Sequence, residues 1–197
     1  MRRIATPGTS PQAVRSTRIC PVLEKGSVKS TVIVDVDAPP REVASLFADP
    51  SLNTKWMHDI ERYEPISGKQ GMPGSVYRLV PKRGSTLLTA TVLKRFPDQL
   101  YLNLEATNMT VEVEGFTRSL ENGRTRLVSK ESFKFKGVWN RAYGVLAGPA
   151  IKMTHRRQIE AFKKFAEQHQ AQKERLENPL RGKKQKRRAK VDAGWFQ

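Results

Sequence analysis

Two polar side chains fall among apolar positions near the end of this sequence, and their types could do chemistry. Glu131 alternates with Phe133 and Phe135, and His155 lies four residues before Ile159. An inward carboxyl and an inward imidazole could act as a general acid and base, or could orient the polar end of a mostly apolar ligand. The alternatives are a hydrogen-bonded core histidine, and a glutamate that pairs with an arginine or lies at the rim.

The segment that carries these two residues changes its hydrophobic period, which predicts a strand followed by a helix. Residues 127 to 135 alternate with the two-residue period of a strand. Beyond Gly137, the spacing changes to steps of three and four, which places these residues on one face of a helix: Ile151, His155, Ile159, Phe162 and Ala166. The helix is therefore expected to pack on a sheet. The side chains expected to meet between them, as a filled core or around a cavity, are Val34, Phe133, Phe135, Ile159 and Phe162.

The rest of the chain is predicted to form one strand, two short helices and six further strands. Residues 28 to 36 alternate between apolar and polar side chains. The Pro39-Pro40 pair suits the first turn of a helix that ends before Pro50, and residues 51 to 57 form a second short helix. The later strands are expected at about 60–67, 74–82, 86–96, 99–106, 109–120 and 124–136, separated by turn residues such as Asn122-Gly123. This order predicts an α+β fold with an antiparallel sheet.

The details of this order resemble the SRPBCC superfamily, which includes START-domain and polyketide cyclase/dehydrase-like proteins. The matching features are the Ala38-Pro39-Pro40-Arg41-Glu42-Val43 entry to the first helix, the Phe47-Ala48-Asp49-Pro50 exit, Trp56, the glycine-rich turn from Gly68 to Gly74, and the Phe133-Lys134-Phe135 strand before the last helix. The resemblance covers about residues 27 to 170. It implies a helix-grip fold, in which a curved antiparallel sheet of about seven strands wraps the C-terminal helix and leaves an apolar cavity closed by the two short helices.

The same resemblance implies that the chain binds, transports or sequesters a hydrophobic small molecule, such as a lipid, an isoprenoid or quinone, or an aromatic polyketide. The ligand-binding residues expected on this basis are Val34, Trp56, Tyr77, Tyr101, Glu131, Phe133, Phe135, His155, Ile159 and Phe162. An alternative is an enzyme of the cyclase/dehydratase type, for which only Glu131 and His155 are candidate catalytic residues, with Tyr101 a distant third. This short set of candidates favours carriage over turnover.

The formal net charge of +17 is concentrated at the two ends of the chain. Residues 181 to 190 hold seven bases, which repel one another and offer no apolar face, so this tail is not expected to fold alone. Its candidate contacts are an anionic membrane surface, nucleic acid or a larger protein assembly, which makes a non-catalytic adaptor a third hypothesis. The alternatives are a solubilising tail and a nuclear-type targeting signal. The residues proposed to make these contacts are Lys183, Lys184, Lys186, Arg187, Arg188, Lys190, Trp195 and Phe196.

Composition divides the chain into three parts and limits its chemistry. Residues 1 to 26 are expected to form a disordered basic arm or an organelle transit peptide, which they resemble in composition although Pro7, Pro11 and Pro21 interrupt any helix. Residues 27 to 177 are expected to form the folded domain, and residues 178 to 197 the basic tail. No run of 18 apolar residues predicts a membrane span. Cys20 is the single cysteine, which excludes an intrachain disulfide and indicates a reducing compartment, cytoplasmic or in an organelle matrix or stroma, for a protein that is not secreted.

No motif in the sequence indicates a metal ion or a cofactor. The three histidines are scattered, and a single cysteine cannot build a cysteine-based zinc site. The Gly68-x-x-Gly71-x-x-Gly74 segment lacks the spacing and the Ser or Thr of a phosphate-binding loop, and predicted strands flank it. It is therefore interpreted as a turn.

Overall fold

In the computed structural model, which describes residues 27–83 and 88–177, seven strands form one curved antiparallel sheet. The strands are β1 Ser27–Val36, β2 Ile60–Ser67, β3 Val76–Pro81, β4 Leu88–Phe96, β5 Gln99–Glu105, β6 Met109–Ser119 and β7 Thr125–Phe135. Their order across the sheet is β1-β7-β6-β5-β4-β3-β2, so β1 and β2 are the edge strands. The predicted α+β helix-grip fold is confirmed.

Short helices follow β1, and one long helix follows β7. They are α1 Pro40–Phe47, a single 3₁₀ turn Pro50–Leu52, α2 Asn53–Trp56 and the 40-residue α3 Val138–Glu177. α1 begins with Pro40 at its first position, where a missing N–H breaks no hydrogen bond. The Asp49 carboxylate then accepts a hydrogen bond from the Ser51 N–H at 2.9 Å, which begins the 3₁₀ turn immediately before α2. α2 packs against α3, where the ring centroids of Trp56 and Phe162 lie 5.2 Å apart.

The segment between β2 and β3 is a turn, as the sequence predicted. Gly68, Gly71 and Gly74 have φ angles of 82°, 70° and 85°, in the left-handed region that glycine adopts without steric cost. The Tyr77 hydroxyl accepts a hydrogen bond from the Gly71 N–H at 2.6 Å, and Arg95 donates to the Gly71 carbonyl at 2.8 Å. These two hydrogen bonds attach the turn to β3 and β4.

The core lies between the concave face of the sheet and α3. The side chains of Val36, Val43, Leu127, Phe162 and Ala166 have no exposed surface. On α3, the buried residues His155, Ile159, Phe162 and Ala166 follow the predicted helical spacing, because these positions lie on one side of a helix with 3.6 residues per turn. The rest of this helix face packs on β1 and β7.

The described part of the chain contains no helix with both the length and the apolar character that a membrane span requires. The predicted N-terminal arm and basic tail lie outside the described residues. The prediction of contacts with membrane, nucleic acid or protein through Lys183, Lys184, Lys186, Arg187, Arg188, Lys190, Trp195 and Phe196 therefore stays a prediction.

Candidate functional site

A mostly apolar cavity lies between the concave face of the sheet, α2 and the middle of α3. Its volume is about 60 Å³. A water molecule needs about 10–15 Å³ of such space, so the cavity has room for a few waters or the end of a chain, and is smaller than a whole drug-sized ligand requires. The lining residues are Phe47, Asn53, Trp56, Met57, Tyr63, Leu79, Leu100, Leu102, Leu104, Val113, Ser129, Glu131, Gln158 and Ile159.

A polar network forms one wall of this cavity. His155 on α3 contacts the Ser30 hydroxyl through Nδ1 at 2.8 Å and the Ser129 hydroxyl through Nε2 at 3.0 Å. Its Nε2 also lies 3.7 Å from Oε1 of Glu131. The strand register explains this convergence, because Ser30 on β1 pairs with Glu131 on β7 and Val32 pairs with Ser129, which brings the two serines and the glutamate together below the helix. His155 is 1% exposed.

Burial sets the protonation states of this network. It raises the pKa of Glu131 to about 7 and lowers the pKa of His155 to about 4, because each charged form loses hydration in the interior. At neutral pH the imidazole is therefore uncharged, and the 3.7 Å contact is not an ion pair. Glu131 is then close to half protonated, so its carboxyl group can donate a hydrogen bond as well as accept one.

The raised pKa of Glu131 predicts that this side chain destabilises the fold at alkaline pH. The free energy of unfolding should fall as the pH rises from 4.5, its ordinary pKa, through about 7, its pKa in the fold. Glu131→Gln keeps the size and removes the charge, so we expect it to raise the free energy of unfolding by about 3 kcal/mol at pH 8 and by less than about 1 kcal/mol at pH 5. Urea unfolding across this pH range measures the difference.

The matched control for this prediction is Glu105→Gln, at an exposed position at the end of β5. It should change stability little at either pH. An effect of Glu131→Gln that is equal at pH 5 and pH 8 would contradict the assignment. His155 should produce the opposite trend, since its lowered pKa makes stability fall as the pH decreases from 6.5 through about 4.

α2 contributes two lining residues whose polar atoms lack partners. Oδ1 of Asn53 and Nε1 of Trp56 are buried, and neither has a hydrogen-bond partner among the residues described. Burial also raises the pKa of Tyr63, Tyr77, whose ring centroid lies 5.0 Å from that of Tyr63, adds to the rise, and a hydrogen bond with the Asn53 side chain opposes it. The lining residues therefore include one unpaired acceptor and one unpaired donor.

The structure brings half of the predicted site residues to the cavity or directly behind it. Trp56, Glu131 and Ile159 line it, and His155 contacts two of its lining side chains. Phe162 lies behind the wall, with its ring centroid 5.2 Å from that of Trp56.

The other predicted residues do not line the cavity. Tyr101 is on the outer face of the sheet, where its ring meets Phe116 at 5.9 Å, because the inward positions of β5 belong to its neighbouring leucines. Tyr77 is buried, but its hydroxyl is used by the turn at Gly71. The three that point inward without lining the cavity are Val34, Phe133 and Phe135, the last packed against Gly144 of α3.

Sequence reasoning missed several lining residues for which a signal existed. Leu100, Leu102 and Leu104 alternate along β5, and this alternation could have placed them inward and Tyr101 outward. Asn53 had no such signal, because a four-residue helix has no readable period. Among the described residues, no group of three or more His, Cys, Asp or Glu side chains gathers as a metal site would require.

Comparisons with known proteins place this geometry in a wider group. Residues 27–167 match the family model described as polyketide cyclase / dehydrase and lipid transport. No curated protein matches the chain. Among solved structures, the Zhui aromatase/cyclase from Streptomyces sp. R1128 is similar with a TM-score of 0.60 at 18% identity, over 72% of this chain and 94% of that one.

Two further solved structures share the fold. A START superfamily protein from Mycobacterium smegmatis has a TM-score of 0.57 at 18% identity, over 74% of this chain and 98% of that one. A hypothetical protein from Helicobacter pylori has a TM-score of 0.58 at 16% identity, over 84% of this chain and 99% of that one. At such identities the likeness concerns the fold alone.

Proposed function

Since this chain belongs to the polyketide cyclase / dehydrase and lipid transport family, we propose that it binds a hydrophobic ligand that carries oxygen groups and transports or sequesters it. The observation that supports this proposal is a mostly apolar cavity lined by a few buried polar side chains. Glu131 lines it, and so do Asn53 and Trp56, whose Oδ1 and Nε1 atoms have no partner among the described residues. Buried polar atoms without partners cost free energy, and a ligand that pairs with them removes that cost.

The polar atoms define the ligand's chemistry. Trp56 can only donate, so it suits a carbonyl oxygen, and the Asn53 oxygen can only accept, so it suits a hydroxyl group. Near neutral pH the protonated form of Glu131 can donate to a second carbonyl. Apart from Tyr63, Ser129 and Gln158, the rest of the lining is apolar, which disfavours charged molecules. Quinones and aromatic polyketides combine an apolar body with such oxygens, and they fit this pattern better than a saturated hydrocarbon chain.

The small volume of the cavity implies that the protein rearranges when the ligand enters. At about 60 Å³ it holds part of a quinone or polyketide, so the remainder needs space that side chains now occupy. α2 is the element best suited to move, because it is four residues long and contributes Asn53 and Trp56 to the lining. Met57, at its end, is partly buried in the same wall.

A cyclase or dehydratase is the second candidate, and the position of Glu131 favours it. A carboxyl group with a pKa of about 7 can serve as a general acid or base near neutral pH. However, both nitrogens of His155 contact serine hydroxyls, so the imidazole does not face the cavity as a second catalytic group. One acid-base residue can move a proton, whereas aldol closure followed by loss of water needs a second acid-base group. The network therefore supports carriage more than turnover.

Native mass spectrometry of the purified chain, with extraction of bound small molecules, tests the proposal. We expect a quinone or an aromatic polyketide, and we expect a long-chain quinone and an anthraquinone to bind better than oleic acid in fluorescence titrations. Glu131→Leu should weaken binding about tenfold, since a carbonyl then faces an apolar group, whereas Glu131→Gln keeps a donor and should change it less than threefold. Equal affinity of the parent, Glu131→Leu and Glu131→Gln would contradict the assigned role of Glu131, and conversion of the ligand would favour the enzyme.

A further inference from the structure

A second, open groove lies on the outside of the molecule, beside the outer edge of β1. It has a volume of about 370 Å³ and runs between β1 and α3. Among the strands that the structure describes, β1 pairs with β7 alone, and the groove is lined by residues of β1 and α3. The lining residues are Lys29, Ser30, Thr31, Val32, Lys152, Met153 and Arg156. The groove does not share a lining residue with the cavity.

Three of these lining residues are cations whose charge is not neutralised. Lys29, Lys152 and Arg156 make no ion pair with any of the described residues. Other bases of the domain do have partners, for example Lys173, which meets Glu42 at 3.0 Å. The three bases that line the groove therefore give it a positive potential, which attracts anions.

Exposed apolar side chains surround the three cations. Met153, at the groove, is 49% exposed, and Leu146, two turns earlier on the same side of α3, is 82% exposed. Ile33 on β1 is 57% exposed. On α3, Pro149 and Ala150 lie between Leu146 and Met153, and they are also exposed and uncharged. A surface that mixes bases with exposed aliphatic groups is typical of proteins that lie on an anionic bilayer.

We propose that this face, formed by β1 and the first half of α3, docks on an anionic lipid bilayer. Headgroup phosphates or carboxylates contact Lys29, Lys152 and Arg156, while Leu146 and Met153 enter the interfacial region. Nucleic acid fits this face less well, because aliphatic side chains neither stack on bases nor pair with phosphates. The inference goes beyond the proposed function and does not depend on what occupies the cavity.

The side chain of Ser30 connects the docking face to the polar network beside the cavity. Ser30 lines the groove, and its hydroxyl contacts Nδ1 of His155 at 2.8 Å. His155 in turn contacts Ser129, which lines the cavity. A bilayer at this face would therefore lie on the other side of a single polar network from the proposed ligand site.

Vesicle binding by the full chain tests this inference. We compare vesicles of phosphatidylcholine alone with vesicles that contain about one third phosphatidylserine, by co-sedimentation at physiological salt. The triple variant Lys29→Gln, Lys152→Gln, Arg156→Gln should bind the anionic vesicles about 10- to 50-fold more weakly, since each base near such a surface contributes up to about fivefold. The control variant removes the same charge from exposed positions on α2, β3 and β4, by the substitutions Lys55→Gln, Arg78→Gln and Lys94→Gln. It should bind the anionic vesicles less than about threefold more weakly than the parent does.

A second pair of variants distinguishes a bilayer from other polyanions. Leu146→Ser with Met153→Ser should weaken binding to the anionic vesicles about fivefold and leave binding to duplex DNA unchanged. Equal losses in the two charge triples, or an apolar double variant that binds vesicles as the parent does, would overturn the inference. Glu131→Leu should bind vesicles normally, so failure of the ligand proposal and failure of this one give different results.

Discussion

Replacing Leu102 with tryptophan is expected to reduce the affinity for a cavity ligand by more than about 100-fold. Leu102 lies on the inward face of β5 and lines the cavity. The indole is much larger than the leucine side chain and the cavity is small, about 60 Å³, so the indole occupies space that the ligand needs. Titration with a quinone or an anthraquinone measures the loss, and native mass spectrometry should show that no small molecule remains bound.

The control for this prediction is Leu93→Trp on the neighbouring strand. Leu93 is 52% exposed at the irregularity in β4, so the same substitution adds the same bulk outside the cavity. It should leave affinity within about twofold of the parent. If Leu102→Trp keeps ligand affinity while its circular dichroism and unfolding curve stay native, the ligand binds elsewhere and the proposed function is wrong.

Replacing Phe162 with alanine is expected to lower the free energy of unfolding by about 3–5 kcal/mol. The side chain has no exposed surface, and its ring meets those of Phe47 and Trp56 edge-on at 5.0 and 5.2 Å. The loss combines buried apolar area, two aromatic contacts and the space left below α1 and α2. Urea unfolding followed by far-UV circular dichroism measures it.

A matched control is Phe96→Ala at the end of β4, where the aromatic side chain is 51% exposed. This substitution should lower the free energy of unfolding by less than about 1 kcal/mol. Because Phe47 and Trp56 also line the cavity, Phe162→Ala should weaken ligand binding in the population that remains folded. A loss below about 1.5 kcal/mol would show that the aromatic cluster is not the principal contact between the short helices and α3.

Much of the fold followed from periodicity that is local in the sequence. The alternation in β1 and β7 and the three-to-four spacing along α3 were sufficient to predict which side of each element is buried. Glycine and proline marked the ends, as Pro40 does for α1 and Gly68 for the turn after β2. These signals work because a strand or helix fixes the direction of its own side chains before anything packs on it.

The contacts of the site depended on residues far apart in the chain. Periodicity placed His155 and Glu131 inward, but only the pairing of β1 with β7 showed that Ser30 and Ser129 occupy both imidazole nitrogens. The side chain of Tyr101 was misplaced because its strand parity was not fixed from the sequence, although its leucine neighbours set it. Strand register depends on long-range pairing, and a one-residue change in it reverses every side chain.

The size of the cavity and the basic groove were decided by tertiary structure alone. A cavity is the small difference between the space that the sheet and helix enclose and the volume of the side chains that fill it, and neither quantity is encoded in a short stretch of sequence. The groove likewise exists because Lys29 on β1 and Lys152 on α3, 123 positions apart in the sequence, line the same gap. Sequence patterns determine how each element is oriented, whereas the space between elements depends on how all of them pack together.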